Sequence, residues 1–293
     1  MSTYRWSVMI PTWNPIKEHL KQSLQSVLMQ DQGEKEMQIA VVDDASTDID
    51  VESVVRDLDV HNRVEFYRNE QNLGIGGNWN RCVDLAKGEW IHLMHQDDWL
   101  RDGFYEQIRE GLSFSSSVGM AYVRTIFADM DGDWQSFSKL VKKQSGIIND
   151  YRGNVHNTGC FPSSNVIKRK VFNTVGKYNE SLVYSLDKEM TIRISAQYDI
   201  WYGKSPLHIF RINEKSQTAR LNNDGTEKID YLKMVNIVKD YLPPDVFKKM
   251  NHGVYSDICD TALSNKKFQL LKLVPLKLVV KRGVKFYLNK LIN

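Results

Sequence analysis

Cysteine is scarce in this chain of 293 residues: Cys82, Cys160 and Cys259 are far apart and odd in number. No CxxC pair or Cys/His cluster offers a zinc site, and three lone thiols make no disulfide framework. Buried thiols in a reducing compartment are expected. The seven prolines and 17 glycines are too few and too scattered for a collagen-like or low-complexity chain. Nowhere does an apolar run approach the ~18 residues that a membrane-spanning helix needs. The start, MSTYRWSVMIPTWN, has no basic segment followed by a long apolar one, so no signal peptide is expected. These absences predict a cytoplasmic protein whose membrane contact is peripheral. Acid is missing from the C-terminal end. Thr261 to Asn293 holds eight bases and no Asp or Glu, so the overall charge of +3 hides an acidic body with a basic tail.

The first hundred residues alternate strand and helix. Trp6–Ile10, Met37–Val42, Val64–Tyr67 and Gly88–Met94 read as strands, the first stopped by Pro11. Between them Leu20, Leu24, Val27 and Leu28 share a helix face. Val51, Val54, Val55 and Leu58 share another, with Ser46-Thr47-Asp48 as cap chemistry, and a third helix is expected from Trp79 to Lys87. This alternation predicts an α/β fold with a doubly wound, mostly parallel sheet, whose ligand sits beyond the carboxyl ends of the strands. Later strands are expected at Gly119–Phe127, Ser164–Lys168 and Leu207–Ile212, a loop or hairpin between Phe127 and Asp150, and a helix at Asp187–Gln197. Helices follow Arg220, punctuated by Pro243-Pro244.

Acids cluster at the predicted strand ends: Asp43-Asp44 after the second, Asp97-Asp98 after the fourth. Asp pairs commonly start turns. Four carboxylates at one sheet edge, however, repel one another unless donors or a cation lie between them. Hard divalent cations take oxygen ligands, typically one or two carboxylates plus substrate phosphates. A metal-bound diphosphate suits this edge. The Gly74-Ile75-Gly76-Gly77-Asn78-Trp79 segment is no dinucleotide fingerprint, since it ends in Trp79 and does not follow the first strand.

The motifs resemble those of glycosyltransferase family 2. Ser7-Val8-Met9-Ile10-Pro11-Thr12-Trp13-Asn14 is similar to its SVIIPTYN opening, and Val41-Val42-Asp43-Asp44-Ala45-Ser46-Thr47-Asp48 to its VVDDGSTD. Asn72-Leu73-Gly74 with Asn80 resembles NxGxxxARN, and Gln96-Asp97-Asp98 stands where the family has a DxD-type metal motif. Val175–Leu182 followed by Leu186-Asp187-Lys188-Glu189 resembles GGFDExL…ED. The resemblance covers roughly residues 5–220. It implies a GT-A fold over 1–220, with a nucleotide-sugar-binding half (about 1–105) and an acceptor half (106–220), and a helical region with a basic amphipathic tail over 221–293.

By resemblance, Asp187 is the catalytic base and Asp98 binds Mn²⁺ or Mg²⁺. Pro11, Thr12, Asn14, Asp44, Asn72, Gly74, Asn80 and Asp97 lie on the donor side, with Asp44 facing the base. Arg211 is a candidate diphosphate contact, and Trp99 and Glu189 a candidate acceptor wall, with Phe104 and Tyr105 available for stacking or for helix packing. His92 and His95 read as structural or wall residues. The implied reaction is inverting transfer from a nucleotide-sugar donor to an acceptor hydroxyl. A base and a metal on opposite faces of the anomeric carbon give inversion, as in single-displacement glycosidases.

Three positions depart from the family pattern. Gln96 replaces an Asp, Ala45 replaces a Gly, and Asn213 stands where many members have His. Ala45 matters if that residue needs positive φ. Gln96 and Asn213 keep a rival open, a non-catalytic sugar-nucleotide-binding or scaffold protein of the same fold. A nucleotidyltransferase has no GxGTRL-like loop to support it. In the tail, a helix from Leu276 puts Val280, Val284, Tyr287 and Leu291 on one stripe beside Lys277, Lys281 and Lys285. Such a helix suits an anionic membrane, or docks on the body with a solvated lysine face. The first case fits a lipid-linked glycan acceptor in bacterial surface-polysaccharide assembly. No nucleic-acid partner is expected of an acidic body without a recognition module.

Overall fold

Runs of Val, Ile and Met too apolar for a solvated face form strands buried on both sides, β1 (Trp6–Thr12) and β2 (Met37–Asp43). In the computed structural model, residues 4–59, 61–152, 158–213, 221, 226–264 and 268–280 are described. With β3 (Val64–Arg68) and β4 (Trp90–Leu93), these strands lie in the order β3-β2-β1-β4, all parallel. The helices α1 (Lys17–Leu28), α2 (Val51–Leu58) and α3 (Gly74–Leu85) connect them. Strand order reverses direction between β1 and β4, which opens the crevice where such sheets bind ligands.

The sheet continues through β9 (Asn165–Lys168), β6 (Val118–Ala128) and β10 (Asp199–Arg211) to the short β5 (Trp99–Leu100). Here it is mixed: β9 runs antiparallel to β4 and β6, whereas β6 and β10 are parallel. The excursion after Phe127 is a hairpin, with β7 (Trp134–Phe137) antiparallel to β6 and β8 (Gly146–Ile147) antiparallel to β10. Three more helices belong to this unit: α4 (Phe104–Ser113), α5 (Arg169–Val175) and α6 (Leu186–Ser195). Residues 1–181 and 186–214 form one compact unit. Residues 182–185 and 215–293 form a second, which includes α7 (Thr226–Ile237) and α8 (Pro244–Ser264). Within the second unit the buried carboxylate of Asp230 accepts from the backbone N–H groups of Val183, Tyr184 and Ser185 at 2.8–3.1 Å.

Several boundaries differ from expectation for identifiable reasons. Pro11 does not stop β1. Thr12 faces β2, its carbonyl accepting from Asp44 N, so the nitrogen of Pro11 faces the other side, past the end of the β4 ladder at Met9. The cap of α2 is Asp50, whose side chain accepts from Ser53 N at 3.0 Å, rather than the Ser46–Asp48 group. Helix α3 begins at Gly74, five residues before the expected Trp79. Its glycines allow close packing: a Cβ at Gly76 would lie 3.0 Å from the Cα of Glu180. Gly88 is tighter still, with a Cβ position 2.4 Å from the backbone of Trp6.

The core of the first unit gathers Trp6, Trp90 and Tyr105, with Trp6 edge-on to both partners. Phe104 and Tyr105 are fully buried here, which settles them as helix packing rather than acceptor wall. His92 is buried beside them, stacked on Phe104. Its Nε2 donates to the carbonyl of Ser163 at 2.9 Å, and its Nδ1 lies 3.2 Å from the hydroxyl of Tyr105.

Burial pushes the imidazole of His92 down to about 3. Because the folded value lies below the unfolded one, His92 favours folding above about pH 6.5 and loses that contribution as pH falls towards 3. Its share of the loss is about 1.4 kcal/mol per pH unit at most. Urea titrations between pH 7 and pH 4 check this: His92→Phe removes that part of the slope, and a slope unchanged in the variant contradicts it.

Candidate active site

The carboxyl ends of β1, β2 and β4 deliver Pro11–Asn14, Asp43–Asp44 and His95–Asp98 to one edge, and side chains tie the three loops together. Asn14 Oδ1 accepts from the backbone N–H groups of Thr47 and Asp48, while Asn14 N donates to Ser46 Oγ at 2.8 Å. Gln96 brackets Trp13, accepting from its N–H at 2.8 Å and donating to its carbonyl at 3.2 Å. A carboxylate could accept the first bond but not donate the second. The Gln in place of the family's Asp therefore serves as a clip between β1 and β4.

The two acidic pairs are neutralised differently. Asp43 is fully buried, forms an ion pair with Arg68 and accepts from Ser46 Oγ at 2.5 Å. Asp44 accepts on Oδ1 from Asn69 Nδ2 at 2.8 Å and Leu73 N at 2.9 Å. Asp98, 1% exposed, accepts on Oδ2 from the hydroxyl of Ser163 and from His208 Nε2 at 3.2 Å, and on Oδ1 from Arg211 N at 3.1 Å. Burial alone would raise its carboxyl, but His208, His95 and Ser163 hold it below the ordinary aspartate value.

Asp97 behaves oppositely. Burial and the adjacent Asp98 charge push it up to about 7. His95 completes a group with these acids: one potential ligand atom from each lies within 4.8 Å of the others. Burial lowers the pKa of His95, and its Nε2 is buried with no hydrogen-bond partner among the described residues. An imidazole beside two carboxylates, one of which resists ionising, is a donor set that a divalent cation would satisfy, so these residues fit one. His95, expected as a structural or wall residue, is one of the three members of this group.

Asp187 stands near the N-terminus of α6, in a cleft lined by Tyr151, Thr158, Cys160, Phe161, Asn165 and Lys188. Burial, followed by the Asp187 charge, pushes the Cys160 thiol up to about 12, which leaves it protonated and unreactive at neutral pH. One short segment links this cleft to Asp98, because Phe161 lines the cleft and Ser163 binds the carboxylate.

Three expected contacts are corrected by internal commitments. Asn80 is buried and clips α3 to a neighbouring loop, bonding Tyr178 N and O and Glu180 Oε1. Glu189 is 1% exposed and forms a bidentate ion pair with Arg193, which braces the carbonyls of Val175 and Lys177, so it is no acceptor wall. The guanidinium of Arg211 donates to Asp97 O, Met130 O and Gln22 Oε1 and lies 4.4 Å over Trp99, so it straps the site rather than awaiting a phosphate. It also covers one face of Trp99. Asn72 and Gly74 shape the start of α3, Asn72 Oδ1 accepting from Gly74 N at 2.9 Å. Sequence reasoning missed Ser163 and His208. For His208 a signal existed, a polar residue between Leu207 and Ile209 in an apolar strand, which when buried needs a partner.

The model of the family described as "Glycosyl transferase family 2" matches residues 7–176. The chain is 27% identical to an uncharacterized glycosyltransferase of Methanocaldococcus jannaschii, over 65% of this chain and 64% of that protein, so it spans less than two thirds of that relative. It is 35% identical to the GalNAc(5)-diNAcBac-PP-undecaprenol beta-1,3-glucosyltransferase of Campylobacter jejuni, over 33% of this chain and 31% of that one. Among solved structures it resembles TarS of S. aureus, with a TM-score of 0.65 at 15% identity over 89% of this chain and 73% of that one. The complex of TarS with UDP-GlcNAc matches at a TM-score of 0.62, with 14% identity over 94% of this chain and 82% of that one. The fold is the GT-A fold that the motifs imply.

One departure from the family motif has a measurable cost. Ala45 has φ +57, a left-handed conformation that glycine adopts without strain. Ala45→Gly is expected to stabilise the protein by about 0.5–1 kcal/mol, the relieved strain exceeding glycine's extra unfolded-state entropy. Denaturant unfolding checks this, and a variant less stable than wild type contradicts it.

Proposed function

The chain belongs to glycosyl transferase family 2, and on that premise we propose that it transfers a sugar, with inversion, from a nucleotide-sugar donor to an acceptor hydroxyl. The observation that carries this reading is the donor set of His95, Asp97 and Asp98 at the sheet's switch point, with a second acid, Asp187, in a separate cleft. The TarS complex with UDP-GlcNAc supports a nucleotide-sugar donor for the shared fold. Residues 1–105 form the donor half in this reading and 106–220 the acceptor half.

On the donor side, the backbone of Pro11–Asn14 and the loop of Asn72 and Gly74 frame the nucleoside, and Asp44 accepts from the base. Asp98 and Asp97, with His95, hold Mn²⁺ or Mg²⁺. A cation held by them would offset the charge that builds on the departing nucleoside diphosphate. Asp187 takes the proton of the attacking hydroxyl, a role that contributes roughly 10²–10⁴-fold. Its position on a different element from the cation site matches attack from the face opposite the leaving group. The rival scaffold reading loses its motive at Gln96, which has a structural task here.

The acceptor in this proposal is a lipid-linked glycan of bacterial surface-polysaccharide assembly. The local similarity to the Campylobacter enzyme, whose name carries an undecaprenol acceptor, supports it. So do Leu276 and Val280, exposed at 77% and 58% beside Lys277. The remainder of the expected amphipathic stripe lies outside the described residues. Among the described residues no helix is long and apolar enough to cross a membrane. The proposed attachment is peripheral, by electrostatics and shallow insertion on the cytoplasmic face.

Two experiments test these assignments. Nucleoside-diphosphate release is measured with a panel of nucleotide sugars and acceptors. Asp98→Asn, chosen over Ala because it leaves fewer buried donors unpaired, and Asp187→Asn each lower kcat by about 10² or more. Full activity in Asp187→Asn removes it as the base. For the membrane, the full chain carrying Lys277→Glu, Lys281→Glu, Arg282→Glu and Lys285→Glu co-sediments less with anionic vesicles than wild type does. Equal binding removes the tail from the account.

A further inference from the structure

Asp98 is held from three directions by groups that no family motif named above contains. We propose that Ser163 and His208, backed by Thr125, are positioning residues that fix the Asp98 carboxylate for cation binding; this rests on the reading of Asp98 as a cation ligand. All four side chains are buried, at 0% exposure for Ser163, His208 and Thr125 and 1% for Asp98. Ser163 Oγ donates to Asp98 Oδ2, and His208 Nε2 lies 3.2 Å from the same oxygen and 2.9 Å from Ser163 Oγ.

An ionised carboxylate only accepts, so His208 presents Nε2–H to it. Its Nδ1, on the other side of the ring, lies 3.0 Å from Thr125 Oγ1. Thr125 and His208 are register partners on β6 and β10, so the parallel ladder sets their distance. The turn carrying Ser163 is fixed in its own right, because His92 Nε2 donates to the Ser163 carbonyl.

The arrangement gives Asp98 one orientation. Two donors converge on Oδ2, and the Arg211 N–H occupies one site on Oδ1. The carboxylate plane is set before any cation arrives, and the lone pairs left over meet it without rotamer freedom being lost at that moment. Partners of this kind behind a metal ligand typically account for 10–100-fold in metal affinity.

The test is an electron paramagnetic resonance titration of the full chain with Mn²⁺, reading free Mn²⁺, accompanied by thermal melts in EDTA. Ser163→Ala and His208→Phe are expected to weaken Mn²⁺ binding by about 10–100-fold. His208→Gln, whose side-chain amide can donate where Nε2–H does, recovers most of the wild-type affinity. A role in packing alone predicts the reverse order, since Phe fills the space better than Gln. Wild-type affinity in both Ser163→Ala and His208→Phe, while Asp98→Asn abolishes binding, overturns the positioning claim alone. Absence of Mn²⁺ binding by wild type overturns the cation reading as well. Should either variant lose its cooperative melt, Thr125→Val decides: weakened binding supports the proposal and unchanged binding overturns it.

Discussion

A carboxylate removed from water must be compensated by donors or it will not stay ionised. At Asp98 this constraint draws together elements from the later half of the sheet. Ser163 from the turn before β9, His208 from β10 and the backbone of Arg211 at the end of β10 all converge on it. The parallel pairing of β6 and β10 sets Thr125 beside His208, and His92 anchors the turn of Ser163 from the core. At Asp97, one residue away, burial and the Asp98 charge outweigh a backbone hydrogen bond and the Arg211 charge. The difference between the neighbours separates an acid that protein donors keep ionised from one that burial and the adjacent charge push towards its neutral form.

Rigidity around this point comes from side chains that look functional in sequence. Arg211, Asn80, Glu189 and Gln96 are polar residues in or beside family motifs, and each spends its hydrogen bonds on other protein atoms. Arg211 links the carbonyls of Asp97 and Met130, and the Glu189–Arg193 pair braces two carbonyls of the loop before α6. These contacts hold the strand-end loops at fixed spacing, which a site assembled from several separate loops requires.

Much of the fold of the first hundred residues could be read from sequence because its signals are local. Apolar runs at Trp6, Met37 and Trp90 have no alternative to a buried parallel strand, and the acids that follow each crossover announce the edge. The start of α3 could not be read that way. Three glycines within Gly74–Gly77 argue against a helix by propensity, and the approach of Glu180 that explains Gly76 comes from about a hundred residues later. Partners distant in sequence also hid the roles of Gln96 and His208, and the Asp43–Arg68 ion pair. The substitution at Ala45 was visible as a departure, but its strain needed the backbone angle.

Charge divides the chain as the sequence indicates, with the acids at the sheet edge explained residue by residue and the basic end carrying exposed apolar side chains at Leu276 and Val280. The most direct test of the central claim follows the anomeric carbon. Proton NMR of the product formed from a nucleotide sugar, with Mn²⁺ and then with excess EDTA, reads configuration and metal dependence together. Transfer with inverted configuration that stops in EDTA and returns with Mn²⁺ is the predicted result. A retained configuration, or a rate indifferent to EDTA, contradicts the account.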